Sequence, residues 1–391
     1  MRWILKLHNI FFLFAEFYKQ ANLYLSAMKI NAILQYLESM AHRSLQESYD
    51  NAGLITGQQD WECTGVLCTL DVTEEVVLEA THKKVNLIVA HHPIIFKGLK
   101  KINGHNYVEK TIIAAIKNDI AIYAIHTNLD NIINGVNGKI ATLLGLTETE
   151  ILAPQSGKLK KLFTFAPVKE ADAIRQALFD AGAGHICHYS ECSFNTEGTG
   201  TFKGGENTAP FVGKPGVLHR EQEMKIEVIF PAFLQEKILK ALRQVHPYEE
   251  VAYDIVELAN HHPAIGAGIV GQIPKAMDEL AFLQKLKENF GTPVIKHTKL
   301  TGRKIQRVAI CGGAGSFLIS NALAAGAEAF ITADVKYHEF FDANDKILFI
   351  DVGHFESEQF TIDLLQEVLE QKFPNFAVLK TEVRTNPVFY Y

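Results

Sequence analysis

Two adjacent histidines, His91 and His92, follow the apolar run 87–90 and precede Pro93. On a continuing strand, neighbouring side chains point to opposite faces. Proline withholds an amide and ends the ladder, which frees both imidazoles to enter the space beyond the strand. A second constellation follows another apolar run, 347–350: Gly353, then His354 and Glu358, four apart at the start of a helix. That spacing sets the two side chains on one helix face about 6 Å apart, as metal ligands require. With Asp130, which follows a third apolar run at 120–125, the set offers three imidazoles and two carboxylates. Mixed nitrogen and oxygen donors suit zinc, iron(II), manganese or cobalt better than magnesium or calcium. Five ligands exceed what one open tetrahedral ion needs, which points to two divalent metal ions sharing a bridging water or a carboxylate, Asp130 or Glu358.

Other motifs carry less. His261, His262 and Pro263 repeat the tripeptide, but no apolar strand runs into it, so a loop without metal is expected. Residues 266–271 match GxGxxG, yet Gln272, Ile273 and Pro274 follow where a dinucleotide-binding helix must start. Cys187, His188 and Cys192 could ligate a metal, but the two cysteines read as small buried or edge thiols.

The elements that must position these residues alternate. Residues 64–70, 86–90 and 120–125 read as buried strands, each ending in polar residues, with a helix capped by Thr73 between the first two. Such alternation implies a largely parallel sheet with right-handed crossovers, whose carboxyl edge collects Asp71, His91, His92, His126 and Asp130. Between 158 and 260 the order becomes β-α-β-β-α-β, ferredoxin-like, with strands at 162–167, 185–193, 224–230 and 251–256. The Gly/Thr/Asn-rich run 195–216 is expected as a hairpin excursion or mobile loop. An α/β pattern then resumes, with strands at 304–310, 327–332 and 347–351, a helix at 316–325 capped by Ser316, and a long helix at 356–370. The expected fold is α/β: two facing α/β halves, 28–157 and 261–391, forming one body, with an inserted ferredoxin-like α+β domain at 158–260.

At 391 residues the chain is long enough for two or three domains, and 48% hydrophobic with 21% charged residues is ordinary globular composition. The net charge of -6 gives no basic excess for a polyphosphate backbone, so nucleic acid is not an expected main partner. Five cysteines, odd in number and without a CxxC, fit free thiols in a reducing cytoplasm. The aromatic-rich segment 1–27 is interrupted by His8, Glu16, Lys19 and Gln20, leaving no membrane span. A second start at Met28 opens a well-patterned helix, so 1–27 is expected as an extension outside the fold.

Several stretches together carry a family likeness: Glu47 to Leu54, His91 to Lys97, His126 to Asp130, Cys311 to Ser316, Thr332 to His338 and Gly353 to Glu358. They resemble the GTP cyclohydrolase 1 type 2 homologues, the NIF-three-like dinuclear metal-binding family, over nearly everything from Met28 onward. The middle block is similar to the PII/CutA-like insertion of longer bacterial members, most clearly at 246–254, where His246 to Glu250 reads as a helix-to-strand turn. Tyr49 stands where the family often has tryptophan. The resemblance implies His91, His92, Asp130, His354 and Glu358 as dinuclear ligands and a ring-shaped homohexamer.

The resulting expectation is a dinuclear metal-dependent hydrolase acting on a nucleotide, with GTP favoured by the resemblance alone. Water attack on the purine ring then needs proton relays, for which Glu358, His126 and His338 are the candidates. No P-loop is present. The alternatives are a non-catalytic metal-binding or regulatory hexamer and a phosphoesterase using the same site.

Overall fold

The apolar runs that end in polar residues become short parallel strands feeding one edge. The computed structural model describes residues 28–391, and the proposed extension 1–27 lies outside them. In the first part of the chain the strands are β1 (Gly53–Thr56), β2 (Val66–Thr69), β3 (Leu87–Ala90), β4 (Ala121–Ala124) and β5 (Thr147–Pro154). The middle part holds β6 (Leu159–Pro167), β7 (Phe194–Phe202), β8 (His219–Pro231) and β9 (Tyr253–Glu257). The last part contributes β10 (Gly266–Asp278), β11 (Lys296–His297), β12 (Lys304–Ile310), β13 (Ala329–Thr332), β14 (Leu348–Asp351) and β15 (Val378–Lys380).

The expected mixed α/β fold is what forms. One sheet has the order β1-β4-β3-β2-β15, with β15, β2, β3 and β4 parallel and β1 antiparallel at the edge. A second has the order β11-β14-β13-β12-β10-β5, with β12, β13 and β14 parallel. The two exchange strands: β5 precedes the middle block yet pairs with β10 in the second sheet, and β15, from the chain's end, pairs with β2 in the first. Neither exchange is visible in hydrophobic periodicity, which says where a strand is and not which sheet takes it.

One hydrophobic core lies between these sheets. It joins Leu37 from helix Ile30–Met40, Tyr123 from β4, Ile350 from β14 and Leu365 from helix Thr361–Lys372, all almost fully buried. Burying each such side chain contributes about 1.5–3 kcal/mol. Thr73 caps helix Glu74–His82 as expected, its Oγ1 accepting the Val76 amide at 3.4 Å. Ser316 instead falls inside the turn Ser316–Leu318, and the long helix expected at 356–370 is divided into His354–Glu358 and Thr361–Lys372.

The four strands of the middle block form their own antiparallel sheet, β7-β8-β6-β9, covered on one face by helices Ala171–Asp180 and Gln235–Val245 around Leu162, Ile226, Val228 and Leu242. The strand expected at 185–193 is a turn, and the strand is Phe194–Phe202, which pairs with β8 so that the run 195–216 forms the hairpin excursion, one of the two forms expected of it. An edge strand tolerates glycine, and alternating threonines with nine partners on β8 suffice to hold it. Among the described residues no helix is long and apolar enough to cross a membrane.

Candidate metal centre

The carboxyl ends of the parallel strands of both sheets meet at one place. His91 and His92 leave β3, His126 and the short helix Thr127–Asp130 leave β4, and His354 and Glu358 lie on the helix that follows β14. Backbone pairing persists through the histidine pair: the His91 amide donates to Thr69 O at 3.2 Å and that of His92 to Leu70 O at 2.9 Å. The ladder therefore ends after both histidines, at Pro93, and their rings sit 4.8 Å apart, tilted, on the same side of the site.

All four histidines are oriented through Nδ1. His91 Nδ1 donates to Ile125 O at 2.9 Å, while His92, His126 and His354 use Nδ1 against Asp71, Asp50 and Asp334, each at 2.8 Å. Oxygen acceptors at Nδ1 fix the ring plane and leave Nε2 for the cluster, the arrangement that orients imidazole ligands. The Nε2 atoms of His92 and His354 lie 2.9 and 3.0 Å from Glu358 Oε2, and that of His91 lies 3.9 Å from Oε1. Asp130 Oδ1 is 3.6 Å from His91 Nε2.

Three groups of potential ligand atoms, each within 4.8 Å, result: His91 with His92 and His126; His92 with His354 and Glu358; His91 with Asp130 and Glu358. The five residues expected as ligands are thus brought together, and His126 joins them. Among the described residues, His91 Nε2 and Asp130 Oδ1 are buried without a hydrogen-bond partner. Both are acceptors, because the His91 proton is committed to Ile125 O, so this donor set fits a cation.

The charges are in tension. Burial and the nearby Glu358 push the Asp130 carboxyl up to about 7. Burial also works against ionised Glu358, but the imidazoles of His354 and its neighbours outweigh it and hold that carboxyl well below its ordinary range. Burial disfavours charge on His92 and His354, yet Asp71 and Glu358 raise the first to about 9, and Asp334 and Glu358 raise the second to about 11. Asp50 is held at about 2 against its burial by His126 and Thr127.

Gly313, after β12, brings main chain against the cluster. A Cβ there would stand 2.2 Å from Glu358 Oε1, and its φ of +61° is left-handed, so the close approach requires glycine. The site opens into a cavity of about 1180 Å³ whose lining includes Tyr49, Phe96, Phe317, Phe355 and Tyr390.

His338 is not brought there. It is exposed on the short helix Tyr337–Ala343, beside Tyr337 and Phe341, and is absent from the cavity lining. The orienting roles of Asp50, Asp71 and Asp334 were not legible as such. Their only signals were a strand-end position for Asp71 and membership of shared motifs for the other two. Residues 266–271 lie within β10, a strand with no helix directly after a glycine turn, which removes the dinucleotide reading. His246 Nδ1 accepts the Tyr248 amide and its Nε2 contacts Phe165 O at 3.0 Å, so it secures a turn.

Comparison with known proteins agrees with this architecture. A protein of Halalkalibacterium halodurans named GTP cyclohydrolase 1 type 2 homolog is 39% identical over 360 residues, 91% of this chain and 97% of the relative. A Bacillus subtilis protein of the same name is 36% identical over 91% of this chain and 96% of its own length. Among solved structures, a Bacillus cereus protein related to NIF3 superposes with a TM-score of 0.82 at 39% identity, covering 94% of this chain and all of that one. A Staphylococcus aureus protein gives a TM-score of 0.74 at 30% identity with the same coverage. The model of the family described as Duf34/NIF3 (NGG1p interacting factor 3) matches residues 28–387, and the chain belongs to that family.

Proposed function

We propose that this chain is a dinuclear metal-dependent hydrolase acting on a nucleotide, with His91, His92, Asp130, His354 and Glu358 as the metal ligands. The observation that carries the reading is the sharing of Glu358 between two ligand groups, with Oε1 3.9 Å from His91 Nε2 in the group that also holds Asp130, and Oε2 2.9 and 3.0 Å from the Nε2 atoms of His92 and His354. One carboxylate facing two triads is what a bridging ligand must do. Bound divalent cations, zinc, iron, manganese or cobalt, would supply Lewis acidity and lower the pKa of a water.

The protein's own groups do the rest. Asp71 and Asp334 hold the rings of His92 and His354 in plane. His126, fixed by Asp50, is the proton carrier assigned here, since its ring reaches the cluster and lines the cavity. No relay role is assigned to exposed His338. Tyr49, Phe96 and Phe317 at the cavity suit a planar base, and GTP is the first substrate to test because the named relatives carry that nucleotide in their name. We further infer a cytoplasmic homohexamer, read out by light scattering as six times the chain mass.

A second reading, a non-catalytic metal-binding hexamer, draws on a different observation. Asp50, Asp71, Asp334 and Glu358 are each already hydrogen-bonded to an imidazole, which leaves little uncommitted base. The experiment is a panel of GTP, other nucleotides and phosphoesters offered to protein loaded with zinc, manganese or iron(II). Formate or phosphate release that His354→Ala abolishes supports the hydrolase. Retained metal with no release from any member replaces it with the binding reading.

A further inference from the structure

We propose that the cavity on the open face of the β7-β8-β6-β9 sheet binds a small organic cation, independently of the metal centre. This cavity, about 680 Å³, lies between β7, the loop that carries Phe211 and the turn 246–250. The loop is tied to the turn by the Ala209 amide, which donates to Glu249 Oε2 at 2.9 Å.

Phe165, Phe202, Phe211 and Tyr248 line it. Tyr248 stands between Phe202 and Phe211, 6.3 Å from each by centroid, at interplanar angles of 55° and 52°. Neither pair is stacked, Tyr248 also meets His246 edge-on at 5.1 Å, and Phe211 stays 54% exposed at the surface. Aromatic faces carry negative quadrupole density and attract cations.

The floor is a carboxylate. Glu223 is only 9% exposed; its Oε1 accepts the Tyr248 hydroxyl at 2.7 Å, and among the described residues no hydrogen-bond donor reaches Oε2. Gly200 on β7 makes room for it, because a Cβ there would fall 1.9 Å from Oε2. That oxygen is left to water or to what enters the cavity, and a charge-assisted hydrogen bond from an ammonium there is stronger than one between neutral groups.

Charge excludes the opposite ligand. Glu197, Glu223, Glu249 and Glu250 line the cavity against Lys203 and Lys225. Lys225 is already engaged, with Nζ 2.8 Å from Glu227 and 4.5 Å over the Phe163 ring. An anion would meet net negative charge, and a neutral molecule without donors would displace water from Glu223 Oε2 without replacing its hydrogen bond. A protonated or quaternary amine on a compact apolar body satisfies both the rings and the carboxylate.

The test is calorimetric titration of the full chain with choline and with its neutral isostere 3,3-dimethylbutan-1-ol, melting curves confirming that each variant is folded. Choline is expected to bind at least tenfold more tightly than the isostere. Glu223→Gln and Tyr248→Ala are expected to weaken it about tenfold, and Phe211→Ala, in the exposed loop, about threefold. His354→Ala leaves choline binding unchanged, which separates this site from the metal centre. Equal affinity for choline and the isostere, or no choline binding at tens of millimolar, overturns the proposal. Unchanged binding in Phe211→Ala together with Glu223→Gln does so as well; if Glu223→Gln does not fold, the isostere comparison and Phe211→Ala decide.

Discussion

His91 Nε2 and Asp130 Oδ1 face each other at 3.6 Å, both buried, and among the described residues no hydrogen-bond donor reaches either. His91 Nδ1–H donates to Ile125 O, which leaves Nε2 an acceptor, so two acceptors confront one another. A buried acceptor without a partner costs roughly 1–3 kcal/mol. A cation between them, or a proton on Asp130, removes that cost.

Divalent ion should therefore stabilise the fold. At an ion concentration about one hundred times its dissociation constant, linkage gives about 2.7 kcal/mol, seen as a melting temperature several degrees above that in chelator. An unchanged melting curve across zinc, manganese, cobalt and iron(II) would contradict this.

The size of that shift should grow with pH. Asp130 is raised from 3.8 to about 7 and His92 from 6.5 to about 9. In both, the folded state binds the proton more strongly than the unfolded state, so metal-free stability falls as pH rises through those windows. Metal binding displaces the same protons. Melting with and without ion should diverge from pH 5.5 to 8.5; curves that converge toward pH 8.5 would count against the ligand set.

Asp71→Asn and Asp334→Asn keep the shape of each orienting group but weaken its hold on Nδ1 of His92 and His354. Each is expected to lower metal affinity roughly 10- to 100-fold with little change in metal-free melting. Competition with a chromophoric chelator measures it, and affinities within twofold of the parent would show that these carboxylates do not orient ligands.

Gly313→Ala adds one methyl group that meets Glu358 Oε1 at 2.2 Å. The variant should lose most of its metal while circular dichroism stays native. Full metal content would mean that Glu358 moves freely and holds nothing in place.

The two proton-relay candidates separate cleanly. His338→Ala should change neither metal content nor hydrolysis, because the ring is exposed and away from the cavity. His126→Ala should reduce hydrolysis and shift its pH profile. Equal loss in the two variants would reject the assignment.

Much of this was legible along the chain because the chemistry sits where apolar strands end. His91, His92, His126, Asp130, His354 and Glu358 each follow such a run, and the folded chain gathers all six. Their orienting partners were not legible, since Asp50 reaches His126 across 76 positions and Asp334 reaches His354 only after β14 intervenes. The exchange of β5 and β15 between sheets was hidden for the same reason: pairing is a tertiary choice. β7 was misplaced because threonine-glycine alternation reads as loop until a partner strand is present.

The most direct measurement is the metal-to-chain ratio by elemental analysis of the purified protein, beside Glu358→Gln. A shared Glu358 predicts two divalent ions per chain in the parent and loss of both in the variant. One ion or none in the parent, or a variant that keeps two, would contradict a dinuclear centre bridged by Glu358.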